Sequence, residues 1–222
     1  MTTFPFSLSS PLELSGYDDR ISVVFHPGML FDSSHKWWSP HGQRLSPHEG
    51  LDLCLLQLPG QAPEPLPADT PVLAAAPGRV VAVIPDFLGQ SVIISHGQDQ
   101  TGSKEWMSLL AHIDTHPDIE EGLLLESGLE IGRTKAFSHP RGMLCHLHLS
   151  LGLLLTPESY DLTWPELVKR ERLIFIDPLP LLPIRWTVWR DVQAWFDFLF
   201  CHIDGDFRRH RLEDTKGSRD EL

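Results

Sequence analysis

The sequence predicts a mainly β protein with an antiparallel sheet or sandwich core and a C-terminal α-helical extension. Its 222 residues are enough for one sizeable domain with its own core. From residue 50 onward, short apolar stretches alternate with clusters of Pro, Gly and Asp, which is typical of successive strands. Only residues 187–200 carry a clear helical stripe.

The elements follow in chain order. Residues 1–47 form a loop-rich lead-in whose only obvious strand is 21–25. About six or seven strands follow between residues 50 and 155, beginning with the stretches LDLCLLQL, RVVAVI and SVIISH. The four prolines in PGQAPEPLPADT predict a surface loop between residues 58 and 71. A strand pair over 105–113 and 129–134 precedes the strand that contains CHLHLSLGLLL.

Helical signals are confined to the C-terminal part. ESYDLTWPELVKRERL allows a short helix, and the prolines of IDPLPLLP stop it. We expect the helix over 187–200 to dock on the sheet and the charged tail 208–222 to be disordered. Its apolar stripe consists of Val188, Val192, Trp195, Phe196 and Leu199.

Composition excludes several classes of protein. The net charge of -12 argues against nucleic acid as a partner, and no run approaches the roughly 20 apolar residues of a membrane span. Three cysteines without a CxxC pair do not build a disulfide framework. The N-terminal residues do not form a signal peptide, so we expect a cytoplasmic protein and treat the terminal RDEL as a chance match.

Three short segments carry the chemistry: HEGLD at 48–52, LAHID at 110–114 and CHLHLS at 145–150. Residues two apart on a strand point to the same face, so His146 and His148 can reach one site. Catalytic zinc takes three protein ligands and keeps one position for water, a count that His48, Asp52 and His148 satisfy. One zinc ion, Zn²⁺, is therefore the predicted cofactor.

The two remaining histidines suit the reaction that such a metal supports. His146 is placed to act as general base toward a zinc-bound water. His112 would polarise the scissile carbonyl or stabilise the oxyanion. The expected reaction is hydrolysis of an amide.

At these residues the sequence resembles the lysostaphin-type zinc metallopeptidases. Five segments occur in the order typical of that family, and the resemblance covers roughly residues 21–182. IDPLPLL at 176–182 also looks like the usual exit from that domain. The five are HEGLD, VLAAAPGRVVAV, GQSVIISHG, LAHID and the closing H-L-H.

The resemblance implies a duplicated-hybrid-motif fold and a metalloendopeptidase that cleaves peptidoglycan stem or bridge peptides. It implies zinc ligands at His48, Asp52 and His148, and catalytic histidines at His112 and His146. The metallopeptidase domain would span 48–182, after the lead-in 1–47 and before a helical extension 183–207 and the tail 208–222. Members of the family are usually exported, and the oligomeric state stays open. Bulky Met143, Leu144 and Cys145 before the H-L-H depart from the family pattern.

Alternatives remain beside this interpretation. The fold could serve as a non-catalytic module that regulates a partner hydrolase. A cupin-like barrel also uses H-x-H, but no Glu follows His148 within five residues. Among other residues, we expect His96 and Cys54 to be structural. Trp37, Trp38 and Trp106 either line a groove or pack in the core or rim, and His35 and His139 are weaker candidates for a cleft.

Overall fold

The computed structural model describes residues 4, 7–14, 16, 20–136, 143–155, 163–167 and 171–202. These residues form a mainly β structure with a C-terminal helix, which confirms the predicted fold class. Helix α1 spans Trp164–Leu167 and helix α2 spans residues 192–202. The strands are β1 Ser22–Phe25, β2 Leu51–Leu53, β3 Leu55–Gln57, β4 Glu64–Pro65, β5 Pro71–Leu73, β6 Gly78–Pro85, β7 Gln90–Gln98, β8 Glu105–Thr115, β9 Leu124–Leu125, β10 Glu130–Thr134, β11 Leu147–Leu154, β12 Leu173–Ile176 and β13 Trp186–Val188.

The strands form two sheets. The larger one has the order β12-β11-β8-β7-β6-β9, with β2 paired to β11, β10 paired to β8, and β5 paired to β10. The smaller sheet has the order β13-β1-β3-β4. All of these pairs are antiparallel except β1 with β13. The prediction of an antiparallel core is therefore confirmed, with one parallel pair at the edge.

Apolar side chains cover both faces of the larger sheet. In β7, Val92 and Ile94 belong to the main core cluster, while Ile93 points to a second cluster on the opposite face. Alternation along a strand produces this division. In β11, Leu147 and Leu149 face the main core, so the intervening His148 points to the second face. The candidate site lies at the end of that second face.

Several predicted strands are confirmed. The segment 21–25 contains β1, and the strands predicted over 105–113 and 129–134 are β8 and β10, which pair with each other. Ten strands lie between residues 50 and 155 in the described part of the chain, more than expected, because five have only two or three residues. The proline-rich segment after Leu58 is not wholly a loop, since β4 pairs within it with β3.

The C-terminal part differs from the prediction at two points. Strand β12 was not expected, and it pairs with β11 at the edge of the larger sheet. Val188 was placed in the helical stripe but lies in β13. Helix α2 starts later because the Asp191 carboxylate accepts a hydrogen bond from the Ala194 N–H, an N-terminal cap. Trp195 in α2 is fully buried, as its place in the stripe predicts.

Helix α2 packs against the lead-in segment. The Trp195 ring lies 5.0 Å from the His26 ring and 6.3 Å from the Trp37 ring, between ring centroids. No helix within the described ranges is long and apolar enough to cross a membrane. The predicted disordered tail 208–222 and the candidate His139 lie outside the described residues.

Candidate metal centre

Three of the predicted site residues converge on one point. Strands β2 and β11 pair with Asp52 directly opposite His148, and His48 lies just before β2. His48 Nε2 lies 3.2 Å from both Asp52 Oδ1 and His148 Nδ1, and Asp52 Oδ1 lies 2.9 Å from His148 Nδ1. A tetrahedral zinc ion with bonds near 2.0 to 2.1 Å separates its ligand atoms by about 3.3 Å. This buried group can hold a metal ion.

Gly50 allows the two strands to approach so closely. A Cβ atom at this position would overlap the Leu149 carbonyl and lie 2.7 Å from Ser150 Oγ, both in β11. Only glycine leaves this space free. In the HEGLD segment, the glycine is therefore needed for the close approach of β2 to β11, and His48 and Asp52 are the ligand candidates.

The atoms of these residues that face away from the shared point also have partners. His48 Nδ1 donates to the Leu30 carbonyl at 3.1 Å, which leaves the Nε2 lone pair for a metal. His148 Nε2 lies 2.7 Å from Ser150 Oγ. Such outer partners fix the tautomer and orientation of ligating imidazoles.

Asp52 is held by two donors on its outer oxygen. The Trp37 indole Nε1–H donates to Oδ2 at 2.7 Å, and the Arg44 guanidinium donates to the same atom at 3.3 Å. Burial alone would raise the pKa of Asp52, but the neighbouring imidazoles of His48 and His148 hold it well below its usual range. Asp52 is therefore an ionised carboxylate with one oxygen left for a metal.

The two predicted catalytic histidines lie beside this group. The His112 ring centroid is 5.0 Å from that of His146 and 5.9 Å from that of His148. His146 directly precedes β11, and its Nδ1 donates to the Leu144 carbonyl at 2.8 Å. Burial lowers the pKa of His146 to about 4, against the opposing charge of Asp52. A neutral imidazole with its lone pair on Nε2 results.

His112 reaches the site through a β-bulge. Gln90 of β7 pairs with Ile113 and Val92 pairs with Leu110, so two residues of β8 oppose one of β7. Leu110 and Ile113 consequently both face the main core although they are three residues apart. His112 has a φ of +68°, an uncommon value for a residue with a side chain. The extra residue directs the imidazole to the face that carries His148.

Sequence reasoning missed the partners of these residues. Asp86 binds His112, while Trp37 and Arg44 bind Asp52. Trp37 was considered only as groove or core, and Asp86 carried no spacing signal. Trp164 was also missed, and its ring lies 5.8 Å from His148.

The structural role predicted for His96 is confirmed. It is buried, with Nδ1 2.6 Å from the Pro77 carbonyl and Nε2 2.8 Å from Ser108 Oγ. Cys54 is a buried thiol 3.8 Å from the Met29 sulfur, also as expected. Trp37 and Trp106 pack in the core, whereas Trp38 is half-buried under Arg44. His35 is exposed.

Comparison with known proteins gives only structural matches. No protein-family model and no curated protein matches the chain. A zinc-containing peptidase from Vibrio cholerae is 23% identical with a TM-score of 0.40, over 60% of this chain and 36% of its own. Helicobacter pylori Csd3 is 18% identical with a TM-score of 0.45, over 95% of this chain and 44% of its own. The catalytic domain of the antimicrobial peptidase lysostaphin from Staphylococcus simulans is 17% identical with a TM-score of 0.39, over 61% of this chain and 78% of its own. The chain thus spans less than half of the first two proteins.

Proposed function

We propose that the protein is a zinc-dependent hydrolase of amide bonds. More specifically, we propose a lysostaphin-type metalloendopeptidase that acts on peptidoglycan stem or bridge peptides. The observation that carries the proposal is the convergence of His48, Asp52 and His148 within 2.9 to 3.2 Å, with two further imidazoles beside them. The ordered set of five sequence segments supports the choice of peptide as substrate.

The donor set fits zinc. Two imidazole nitrogens and one carboxylate oxygen are a common ligand set for catalytic zinc and leave one position for water. When bound there, zinc would acidify water and polarise a carbonyl oxygen. The atoms facing away from the metal are already satisfied by Leu30, Ser150 and Trp37.

The two other imidazoles differ in their partners, and the difference suits two roles. His146 donates to a neutral carbonyl and keeps a lone pair on Nε2, which can accept the proton of the attacking water. His112 Nδ1 donates to the carboxylate of Asp86 at 3.1 Å, and this bond orients the ring. In its doubly protonated form, His112 would keep this bond and donate from Nε2 to the oxyanion that forms on the scissile carbonyl.

A purely regulatory module would need the fold, but it would not need His146 as a base or His112 as a donor. Binding of a partner does not call for an ordered pair of imidazoles beyond the three ligand candidates. The enzymatic proposal accounts for all five residues at once.

The test combines metal content with turnover. Wild type should bind one zinc per chain and release soluble peptides from purified crosslinked peptidoglycan, and a chelator should stop the release. His146→Ala should keep its zinc and lose turnover, whereas Asp52→Ala should lose the metal. His116→Ala is the control, because His116 is an exposed histidine paired with Asp118. Zinc loss in His146→Ala would contradict the assigned role, and an inactive zinc-loaded wild type would contradict the enzymatic proposal.

A further inference from the structure

A buried carboxylate outside the predicted site binds one of its histidines twice. The Asp86 side chain is 1% exposed and accepts five hydrogen bonds. Its Oδ1 accepts from the Leu88 and Gly89 N–H groups at 2.8 and 2.7 Å and lies 3.1 Å from His112 Nδ1. Its Oδ2 accepts from Ser91 Oγ at 2.7 Å and from the His112 N–H at 3.0 Å.

Only two of these five hydrogen bonds belong to the turn that contains Asp86. The donors Leu88 and Gly89 are those of an Asp-stabilised turn between β6 and β7. Of the other three bonds, two connect that turn to His112 in the bulge of β8, and one connects it to Ser91 in β7. Asp86 holds both the backbone and the ring of His112, at a residue whose φ of +68° needs support from its surroundings.

The contact with Nδ1 also determines the tautomer of His112. An ionised carboxylate can only accept hydrogen bonds. His112 Nδ1 must therefore carry the proton in its bond to Asp86. Burial would raise the pKa of Asp86, but His112, Ser91 and the Leu88 N–H lower it strongly, and the carboxyl stays ionised. His112 Nε2 is then the ring atom left for chemistry.

The network continues to the other side of the site. The Trp164 indole Nε1–H donates to Ser91 Oγ at 2.9 Å, and the Trp164 ring packs near His148. Ser91 links Trp164 to Asp86, because its hydroxyl accepts from Trp164 and donates to Asp86. Three side chains from α1, β7 and the β6–β7 turn thus support one imidazole.

We propose that Asp86 is the positioning residue that holds His112 in a single tautomer and orientation for the reaction. The role in the reaction depends on the proposed peptidase function, whereas the effect on His112 does not. Loss of the hydrogen bonds between Asp86 and His112 should leave the three ligand candidates in place. None of the five hydrogen bonds of Asp86 involves His48, Asp52 or His148.

The first test measures His112 directly. Asp86→Ser keeps a short acceptor for the turn but cannot reach the imidazole. In nitrogen-15 NMR spectra at a pH above the range of imidazole titration, wild-type His112 should show one Nδ1–H tautomer. Asp86→Ser should show a mixture of tautomers, and His112→Gln assigns the signal. Asp114→Asn is the matched control, because this exposed carboxylate on the same strand pairs with Lys135. An unchanged His112 tautomer in Asp86→Ser would overturn the proposal.

The second test measures turnover. Asp86→Ser should bind zinc like wild type and lower kcat about 100-fold with little change in KM, the scale expected for a displaced catalytic group. Asp114→Asn should keep the wild-type kcat. Normal kcat in folded, zinc-loaded Asp86→Ser would overturn the positioning role. Should wild type itself be inactive, the proposed function fails, and the NMR result alone still decides whether Asp86 holds His112.

Discussion

The Trp37 indole donates a 2.7 Å hydrogen bond to Asp52, the one carboxylate among the three candidate ligands. The same ring is fully buried and lies edge-on to His146, with 5.3 Å between centroids. One tryptophan of the lead-in therefore contacts both a ligand candidate and the candidate base. The lead-in thus supplies a hydrogen-bond donor to the candidate site.

Trp37→Phe should weaken zinc binding. The substitution keeps an aromatic ring in the core but removes the N–H that orients Asp52 Oδ2. Loss of an outer partner of a metal ligand typically costs about 10- to 100-fold in affinity. Competition with a chromophoric chelator measures the zinc Kd.

Trp38→Phe is the control for this change. Trp38 is half-buried and stacks on Arg44, with 4.9 Å from the guanidinium carbon to the ring centroid. Its substitution should leave the zinc Kd within a few-fold of wild type. Equal loss of affinity in both variants would indicate general loosening of the lead-in and would contradict the orienting role of the Trp37 N–H.

The parts of the fold that follow from local patterns were predictable from the sequence. Strand β11 was predictable because LHLSLGLL places a leucine at every second position, with His148 between the first two leucines. The pair of β8 with β10 was predictable from two β-rich segments separated by turn residues. Ligand candidates were predictable because His48, Asp52 and His148 occur in spaced motifs.

The supporting residues were not predictable in this way. Asp86 meets His112 only through a bulge that changes the alternation of β8, and the alternation itself would place His112 with Leu110. Val188 fits a helical stripe, yet pairing with Phe25 of β1 and the cap at Asp191 place it in a strand. Such outcomes depend on contacts between distant segments, which override local periodicity.

Gly50→Ala should destabilise the protein by at least about 2 kcal/mol, the range of substitutions that force a shift of packed backbone. The added methyl would overlap the Leu149 carbonyl and separate β2 from β11. Thermal unfolding of the metal-free protein should then show a Tm lower by roughly 4 to 8 °C. Gly16→Ala is the matched control, because a Cβ at Gly16 meets nothing within 4 Å. Equal Tm values for Gly50→Ala and wild type would contradict the close approach.

Stability should fall as the pH decreases from about 6.5 toward 4, in part through His26. Burial, with a smaller effect of His35, lowers the pKa of His26 to about 4 in the folded protein, from 6.5. In this window the unfolded chain binds a proton that the folded protein does not, so acid favours unfolding. The His26 Nδ1 must also stay unprotonated to accept from the Gly28 N–H at 2.9 Å.

His26→Asn tests this pH dependence, because an Asn side chain can also accept from Gly28. Urea unfolding of metal-free protein at a series of pH values should show a smaller loss of unfolding free energy in His26→Asn than in wild type. One proton contributes at most about 1.4 kcal/mol per pH unit. His116→Asn, at an exposed histidine, should keep the wild-type slope. A wild-type slope in His26→Asn would assign the acid sensitivity to other groups.

Helix α2 should influence the metal group through Trp195. The Trp195 Nε1–H donates to the Trp37 carbonyl at 2.8 Å, and Trp37 in turn donates to Asp52. Trp195→Phe removes the first of these bonds and leaves a buried carbonyl without it, at a cost of about 1 to 3 kcal/mol. We expect a Tm lower by several degrees and a weaker zinc Kd, measured by thermal unfolding and chelator competition. Cys201→Ser, at an exposed position of the same helix, should change neither quantity. If Trp195→Phe lowers the Tm but leaves the zinc Kd at the wild-type value, α2 stabilises the fold without acting on the metal group.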